Sequence, residues 1–356
     1  MPPRRRKRLD PSVFALPVEQ IRSGFFSDIH LEKARFLIRQ EKRPSQVVMQ
    51  FAATRTGYIG GIDETIAILK LCSDDWSVLA VSALYEGDWV DDWETVLTIE
   101  GPYESFAHLE PLCLGVLSRR TGICTSVRHA VEAARPKRVL FLGGRDDIYA
   151  AQPGDGYSAH VAGATMVATP ALASLFSGKT VGAMPHGLIA TFGGNTVKAA
   201  SKFAETFTDE PDIIVLVDYQ NDCVKTSLEV ARALEGRLWG VRLDTPDNLV
   251  DKSVIPHMGT FAPTGVSPQL VWNVRNALDG EGFGDVKIVV SGGGVFDEDR
   301  IHAFEEEGVP VDAYGVGGAM LDGRVGFTAD IVHVDGKPQS RAGREARPNE
   351  KLERVK

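Results

Sequence analysis

The sequence predicts an α/β protein whose repeating second half forms a parallel sheet or barrel. From Val139 onward, six apolar strand candidates alternate with helical segments, a rhythm typical of parallel strands that are buried on both faces. Polar or glycine-rich residues follow each of these strands. The first hundred residues mix strands and helices without strict alternation, which favours a separate α+β layer.

Composition and charge indicate a soluble globular protein. The chain has 356 residues, 43% of them hydrophobic and 24% charged, which is enough for one large domain or two ordinary ones. The formal net charge of −9 argues against broad attraction to nucleic acid or to anionic membranes. No apolar run reaches the length of a membrane span. The four cysteines show no CxxC spacing. We interpret them as reduced thiols in the reducing environment of the cytoplasm. We therefore expect a cytoplasmic protein without nucleic-acid or membrane partners.

The N-terminal part begins with the basic run Arg4–Arg8, which no apolar signal core follows. Residues 1–11 are therefore predicted to be a disordered, solvated tail. Asp28 then opens a helical pattern, and it is either a site residue or the start of a surface helix. The remaining predicted elements of this part are strands over 47–52, 78–84 and 95–99 and a helix over 62–71.

An adjacent arginine pair, Arg119 and Arg120, lies in the sequence LSRRTG of residues 117–122. Helices are predicted on either side of it, over 106–116 and 123–134. The two arginines either face solvent or contact an anion, within the chain or across a dimer.

The repeating half can be divided into strands and helices by its apolar pattern. The predicted strands are Val139–Leu142, Thr180–Met184, Ile213–Val217, Leu238–Leu243, Ile288–Val290 and Val311–Tyr314. The predicted helices are His160–Phe176, Thr196–Phe207, Cys223–Leu234, Pro268–Leu278 and Asp297–Glu307.

Polar side chains come directly after these strands, and parallel α/β folds place their chemistry at the carboxyl ends of strands. Each of these residues alone could be a helix cap or an ordinary loop residue, and His186 could be a hydrogen-bonded loop histidine. Together they predict an active site on one rim. The rim residues are Arg145, His186, Asp218, Arg242, Asp244 and Ser291.

Two successive strands end in glycine turns, VSGGG at residues 290–294 and YGVGG at residues 314–318. A single glycine turn is often no more than a tight turn. Because glycine lacks a Cβ, two such turns allow a phosphate group to approach backbone N–H donors closely. Loops after the last strands of a parallel barrel are the favoured place for a phosphate.

Other residue types narrow the chemistry of the rim. Arginine binds carboxylates through two parallel hydrogen bonds, and Asp218 and Asp244 could bind sugar hydroxyls or a Mg²⁺ ion on a pyrophosphate. Neither HxH nor HExxH occurs, which argues against a dedicated zinc or iron site. GxSxG and GxxxxGK[ST] are also missing, which argues against serine hydrolases and P-loop enzymes.

Nine motifs, taken in chain order, resemble the nicotinate phosphoribosyltransferase family and, more distantly, quinolinate phosphoribosyltransferases. The resemblance runs from about residue 20 to the C-terminus. The motifs are FSDIHLEKAR (26–35), GIDE (61–64), IEGPYESFAHLE (99–110), LSRRTGICTSVRHA (117–130), LGGRDD (142–147), MPHG (184–187), VRLDTPDNL (241–249), VSGGG (290–294) and YGVGGAM (314–320).

The resemblance implies an enzyme that joins nicotinate to 5-phosphoribosyl-1-pyrophosphate, giving nicotinate mononucleotide and pyrophosphate in NAD salvage. It also implies an irregular α/β barrel with fewer than eight strands beside an α/β sandwich formed by both chain ends. The corresponding bounds are 12–118 and 328–356 for the sandwich and 119–327 for the barrel. Dimers or larger homo-oligomers with shared active sites are expected.

The resemblance implies roles for individual residues as well. The 5′-phosphate would be held by Ser291, Gly292, Gly293, Gly315, Val316 and Gly317. Arg242 and Asp244 would face the ribose and the pyrophosphate, with Mg²⁺ nearby and its protein ligands left open.

For the pyridine, Arg145 would pair with the nicotinate carboxylate, and Arg119 would reach into the adjoining subunit. His186 would be the histidine that ATP phosphorylates, which couples ATP hydrolysis to synthesis. Asp28 and Asp218 are further candidates for substrate binding.

Three alternatives compete with this hypothesis. A quinolinate phosphoribosyltransferase would also decarboxylate its substrate and would need more cationic groups around a second carboxylate. A barrel that binds a sugar phosphate or a flavin phosphate could use the same glycine turns. A non-catalytic relative is favoured by Gly187, which stands where many family members have serine after the histidine.

Overall fold

The computed structural model describes residues 7–42, 45–210, 212–259, 261–292 and 296–356. Its helices are α1 (Val18–Arg22), α2 (Ile29–Gln40), α3 (Ile62–Cys72), α4 (Glu110–Ala133), α5 (Gln152–Ala162), α6 (Pro170–Ala173), α7 (His186–Thr191), α8 (Thr196–Thr206), α9 (Cys223–Leu234), α10 (Pro268–Gly280) and α11 (Glu298–Glu306). Among these described helices, none combines the length and the apolar character that crossing a membrane would require.

The strands are β1 (Gln46–Ala53), β2 (Gly57–Tyr58), β3 (Ala80–Ala83), β4 (Trp89–Val90), β5 (Thr95–Pro102), β6 (Arg138–Phe141), β7 (Met166–Val167), β8 (Ile213–Leu216), β9 (Leu238–Leu243), β10 (Lys287–Val290), β11 (Ala313–Val316), β12 (Phe327–Val334), β13 (Lys337–Pro338) and β14 (Glu353–Arg354). The chain divides into two compact units. The first comprises 1–128, 153–162 and 321–356, and the second comprises 129–152 and 163–320.

The first unit is built on a six-stranded sheet in the order β13-β12-β1-β5-β3-β14. All its pairings are antiparallel. The C-terminal strands β13 and β14 form its two edges, and β12 lies between β13 and β1, so both ends of the chain build this unit, as predicted. A large apolar core packs on the sheet and includes Phe51, Ile62, Leu97 and Leu109.

The beginning of the described chain is held against this unit. The Leu9 backbone N–H donates to Asp63 Oδ2 over 2.9 Å, and Arg8 Nη2 donates to the Ala83 carbonyl over 3.1 Å. The Arg8 guanidinium also lies over the Tyr85 ring, 4.0 Å from its centroid. Residues 7–11 therefore differ from the solvated tail predicted for 1–11, because a buried carboxylate gives them a partner.

The two helices predicted around Arg119 and Arg120 are one helix, α4. The predicted interruption between residues 116 and 123 is therefore wrong, and Gly122, a residue type that often ends helices, serves packing here. A Cβ at Gly122 would lie 2.0 Å from the carbonyl oxygen of Gly323. Helix α4 needs a residue without a side chain at this position to approach that backbone.

The second unit contains a six-stranded parallel sheet in the order β7-β6-β11-β10-β9-β8. Thr180–Met184 is not the continuous strand predicted for it. Thr180 makes a single parallel bridge to Val167 in β7, and Met184 makes one to Val215 in β8. The segment therefore connects the two edge strands and closes the sheet into an irregular barrel. The predicted α/β class with fewer than eight barrel strands is confirmed.

Most of the helices predicted after residue 139 match the structure, but the helix predicted over His160–Phe176 is wrong. Helix α5 ends at Ala162, and Gly163 follows with φ +112°, a backbone conformation that suits glycine. Strand β7 comes next. A new helix, α6, then begins behind Thr169, whose hydroxyl accepts a hydrogen bond from the Leu172 N–H, an ordinary N-cap before proline.

Candidate functional site

Two adjoining cavities lie at the carboxyl ends of the parallel strands in the second unit. The first cavity, called the glycine pocket here, has a volume of ≈ 210 Å³, and the second, called the apolar pocket, has a volume of ≈ 310 Å³. Leu142, Arg145 and Arg242 line both pockets. The two pockets are therefore neighbouring parts of one site.

Each pocket has its own lining. The remaining residues of the glycine pocket are Asp146, Ser291, Gly292, Phe296, Gly315, Val316, Gly317, Gly318 and Ala319. Those of the apolar pocket are Leu140, Gly144, Ala168, Thr169, Val181, Gly182, Ala183, Ile214 and Val289. Among the phosphate-binding residues predicted from sequence, Ser291, Gly292, Gly315, Val316 and Gly317 meet in the glycine pocket, while Gly293 lies outside the described residues.

Strand geometry explains why these residues meet. Side chains two positions apart along a strand point to the same face. Val289 in β10 belongs to the small core inside the barrel, together with Leu140, Ile214 and Ala313. Ser291 follows Val289 by two positions, so its hydroxyl also points inward, at the end of the strand.

Gly315 and Gly292 are placed where a side chain would not fit. A Cβ at Gly315 would lie 2.7 Å from Leu142 Cδ1 and 2.8 Å from Ser291 Cβ. Gly292 has φ +60°, and a Cβ on it would lie 1.6 Å from Asp244 Oδ1. These glycines let two loops and a carboxylate converge on one small cavity.

Arg242 and Asp244 form an ion pair at the end of β9. Arg242 Nη2 donates to Asp244 Oδ2 over 3.1 Å, and Arg242 Nε donates to the Ser291 hydroxyl. Burial lowers the pKa of Arg242. Burial also raises the pKa of Asp244, an effect that the Arg242 charge opposes. The pair therefore presents a partly desolvated charge at the junction of the two pockets, where electrostatic interactions are stronger than in water.

His186 and Asp218 form a second polar pair. His186 Nε2 lies 3.0 and 3.1 Å from the two oxygens of Asp218. The Asp218 side chain is 4% exposed, and the His186 side chain is 42% exposed. The buried carboxylate therefore fixes the imidazole through Nε2 and leaves Nδ1 for another partner. Asp218 and His186 both act electrostatically on Asp244, so this pair belongs to the same site.

Arg145 ends a short turn, Gly143–Arg145, directly after β6. Its guanidinium makes no hydrogen bond or ion pair with any residue that the structure describes, and its side chain is exposed. Because it lines both pockets, it is available to an anionic ligand. The structure thus brings together all six predicted rim residues.

Among the polar side chains that line the two pockets, sequence reasoning missed two. Asp146 lines the glycine pocket, and its Oδ2 would lie 3.1 Å from a Cβ on Gly317. Its place directly after Arg145 was a signal for it. Thr169 lines the apolar pocket, but it was hidden inside the segment that had been predicted as one long helix.

Two predicted candidates, Asp28 and Arg119, belong to the first unit. Asp28 precedes α2 at its N-cap position without a side-chain capping hydrogen bond. Arg119 donates to Asp155 through Nε over 3.0 Å and through Nη2 over 2.7 Å. Arg120 also pairs with Asp155, and with Glu64. Of the alternatives for the arginine pair, the anion contact within the chain is confirmed.

Comparison with known proteins places these features in context. A family described as "Quinolinate phosphoribosyl transferase, N-terminal domain" matches residues 33–121. The curated nicotinate phosphoribosyltransferase pncB1 of Mycobacterium tuberculosis is 28% identical over 282 residues, which is 76% of this chain. The chain spans only 57% of the length of that relative.

Solved structures give the same picture. A nicotinate-nucleotide pyrophosphorylase from Pyrococcus furiosus is 32% identical, with a TM-score of 0.80, over 94% of this chain and 81% of its own. Human nicotinic acid phosphoribosyltransferase is 16% identical, with a TM-score of 0.68, over 88% of this chain and 75% of its own. The likeness to the human protein is one of fold.

Proposed function

Because the chain belongs to the family of nicotinate and quinolinate phosphoribosyltransferases, we propose that it transfers a phosphoribosyl group to nicotinate. The donor is 5-phosphoribosyl-1-pyrophosphate, and the products are nicotinate mononucleotide and pyrophosphate, in NAD biosynthesis. The observation that carries the proposal is the junction of the glycine pocket and the apolar pocket around Arg145 and Arg242. A phosphate in one and a flat ring in the other are the two ends of a single nucleotide.

The glycine pocket suits the 5′-phosphate. Backbone N–H groups next to residues without side chains can approach phosphate oxygens closely. The Ser291 hydroxyl, buried at the end of β10, adds a donor, and Arg242, which donates to that hydroxyl and lines the same pocket, adds positive charge. This combination of small residues, donors and one cation holds an anion without burying an uncompensated charge.

The apolar pocket suits a pyridine carboxylate. Leu140, Ile214 and Val289 form an apolar floor from three different strands, on which a flat ring can lie. The Arg145 guanidinium at the rim can bind one carboxylate through two parallel hydrogen bonds.

The reaction proposed is displacement at the anomeric carbon of the ribose, through a transition state with cation character. The ring nitrogen of nicotinate forms the new bond as the bond to pyrophosphate breaks. Because that nitrogen is already nucleophilic, the site needs no general base. Arg242 stabilises the negative charge on the departing pyrophosphate, and Asp244 accepts hydrogen bonds from ribose hydroxyls. The contribution of the protein is positioning and charge stabilisation.

Magnesium fits this arrangement as an ion brought by the substrate. Mg²⁺ is commonly bound by one or two carboxylates together with phosphate oxygens, and Asp244, paired with Arg242, and its neighbour Asp218 could serve as these carboxylates. Within the described residues, no group of three or more His, Cys, Asp or Glu side chains could hold a metal ion alone. When bound, Mg²⁺ would neutralise charge on the pyrophosphate.

The His186–Asp218 pair supports the further proposal that ATP is coupled to synthesis. An imidazole held through Nε2 by a buried carboxylate presents Nδ1 as a nucleophile. Nδ1 would take the γ-phosphoryl group of ATP as the bond to ADP breaks, and water would later release phosphate. A homo-oligomer with shared sites and a cytoplasmic location stay predictions.

The second candidate is a quinolinate phosphoribosyltransferase, which the matched N-terminal family domain favours. Quinolinate carries a second carboxylate beside the ring nitrogen and requires a second cation. The apolar pocket contains two arginines, and Arg242 is already paired with Asp244. Among the described residues that line this pocket, Arg145 is the one guanidinium without a partner, which favours the substrate with one carboxylate.

Product formation from phosphoribosyl pyrophosphate and Mg²⁺ tests the proposal, with nicotinate and quinolinate compared, each with and without ATP. We expect nicotinate mononucleotide from nicotinate, formed faster with ATP, and loss of that stimulation in His186→Ala. If product forms with quinolinate but not with nicotinate, and carbon dioxide is released, the protein is a quinolinate phosphoribosyltransferase, the second candidate. No product from either pyridine would reject both.

A further inference from the structure

We propose that Gln152 is a positioning residue that fixes the turn bearing Arg145 and thereby sets the affinity of the site for the substrate carboxylate. This inference rests on the proposed function, because it takes Arg145 as the carboxylate-binding residue. Gln152 itself does not line either pocket.

The need for such a residue follows from the state of Arg145. Its guanidinium has no hydrogen-bond or ion-pair partner among the described residues, and its side chain is exposed. A side chain without partners is placed only by its own backbone. Binding a carboxylate in one geometry is costly in conformational entropy unless that backbone is already ordered.

Gln152 supplies this order through a chain of hydrogen bonds. Gln152 Nε2 donates to the carbonyl oxygen of Gly144 over 2.7 Å, directly before Arg145. Gln152 Oε1 accepts from the Thr169 hydroxyl over 2.7 Å. The Thr169 oxygen in turn accepts from the Leu172 N–H at the start of α6 over 3.1 Å. The turn is thus tied to a helix cap elsewhere in the second unit.

The donors and acceptors in this chain of hydrogen bonds allow only one orientation of the Gln152 side-chain amide. The Thr169 hydroxyl has a single proton, which it donates to Gln152 Oε1 while its oxygen accepts from Leu172. If the amide were reversed, its oxygen would face the Gly144 carbonyl oxygen, and two acceptors would meet. In the observed orientation the Gln152 amide oxygen and nitrogen and the Thr169 hydroxyl each have a partner, and a connected network of this kind is rigid.

Packing reinforces the hydrogen bonds. A Cβ on Gly144 would lie 2.9 Å from Thr169 Cγ2 and 3.8 Å from Gln152 Cδ. The turn therefore rests directly against both members of the network, and it can do so because residue 144 is glycine. A shift of Gln152 or Thr169 would be transmitted to the next residue, Arg145.

The substitution Gln152→Glu tests this role with almost no change in size. The carboxylate keeps an acceptor for Thr169 but sets a second acceptor against the Gly144 carbonyl, so the turn loses its anchor. We expect KM for nicotinate to rise about tenfold, equivalent to about 1.4 kcal/mol. KM for phosphoribosyl pyrophosphate and kcat should change less than about twofold.

The pH dependence distinguishes this role from general damage to the fold. When the carboxyl group introduced by Gln152→Glu is protonated, it can donate to the Gly144 carbonyl. The ratio of KM values between variant and wild type should therefore shrink as pH falls from about 8 to about 5.5. Gln269→Glu in α10 is the matched control. Gln269 donates to Asn273 on the same helix and lines neither pocket, and its variant should keep the wild-type KM at every pH.

A KM for nicotinate in Gln152→Glu within twofold of wild type, or an equal rise for both substrates, would overturn the inference. The variant Arg145→Ala distinguishes failure of the Gln152 proposal from failure of the proposed function. If Arg145→Ala leaves KM for nicotinate unchanged, the assignment of Arg145 itself is wrong. Hydrogen exchange of the 143–146 amides needs no turnover. It should become faster in Gln152→Glu and stay unchanged in Gln269→Glu, and protection retained in Gln152→Glu would also overturn the proposal.

Discussion

His108 shows at the scale of a single residue how burial sets chemistry in the first unit. The side chain is fully buried, its Nε2 lies 3.3 Å from the Cys72 carbonyl oxygen, and its Nδ1 has no hydrogen-bond partner among the described residues. Burial, aided by the nearby Arg35 charge, lowers the pKa of His108 from 6.5 to about 4. The folded protein therefore holds this imidazole neutral.

A pH dependence of stability follows. Between pH 6.5 and about 4, the unfolded chain binds a proton at His108 and the folded chain does not, so stability falls as pH falls. We expect the wild type to lose up to about 3 kcal/mol of unfolding free energy through this group, and His108→Gln to lose less over the same range. Urea denaturation at pH 7 and pH 4.5 measures this, with the exposed His302→Gln as control. Equal losses in wild type and His108→Gln would contradict it.

Individual site residues were predictable where strand geometry determines their place. Asp218 and Ser291 follow apolar strands and Arg242 lies near the end of one, each at a position that faces inward, and this alternation can be read from the sequence. Thr169 and Gln152 could not be found in this way. Their importance lies in hydrogen bonds across chain segments, which no local pattern records.

At the scale of elements, helix α4 contains two glycines with opposite surroundings. Gly122 packs on the Gly323 backbone, whereas a Cβ at Gly115 would meet nothing within 4 Å. The sequence pattern treats both as weak points in a helix. Only the fold distinguishes a glycine that a close approach requires from one that a helix merely tolerates.

Alanine substitution should therefore have opposite effects at these two positions. Gly115→Ala gains helix propensity and should raise stability by up to about 1 kcal/mol. Gly122→Ala gains the same propensity but forces α4 away from the backbone at 323, and should lower stability by about 1–3 kcal/mol or more. Thermal unfolding of both variants decides this. A shift of the two melting temperatures in the same direction would show that Gly122 does not serve packing.

The segment from 160 to 176 shows where element prediction fails. Its composition allows a continuous helix, but Gly163 ends one helix and Thr169–Pro170 begins another, with the two-residue strand β7 between them. A strand that short has too few residues to show a period of two. It is recognised through its pairing with β6 and its bridge to Thr180.

On the scale of the whole molecule, the sequence predicted the class of fold more securely than the boundaries between the two units. The alternation of strands and helices after residue 139 predicted a parallel sheet. The family resemblance predicted that both ends of the chain belong to one unit. The unit boundaries at 128 and 321, and the return of residues 153–162 to the first unit, differ from the predicted 118 and 327. A helix such as α4 or α5 crosses a boundary without any change in its local pattern, so composition cannot mark it.

The structure of the protein with bound nicotinate mononucleotide is the most direct test of whether one nucleotide occupies both pockets. We expect the 5′-phosphate at the backbone N–H groups of Gly292 and Gly315–Gly317, with the ring over Leu140, Ile214 and Val289. The ring carboxylate should lie within hydrogen-bond distance of the Arg145 guanidinium. A phosphate bound outside the glycine pocket, or a carboxylate away from Arg145, would show that the two pockets do not hold one nucleotide in this way.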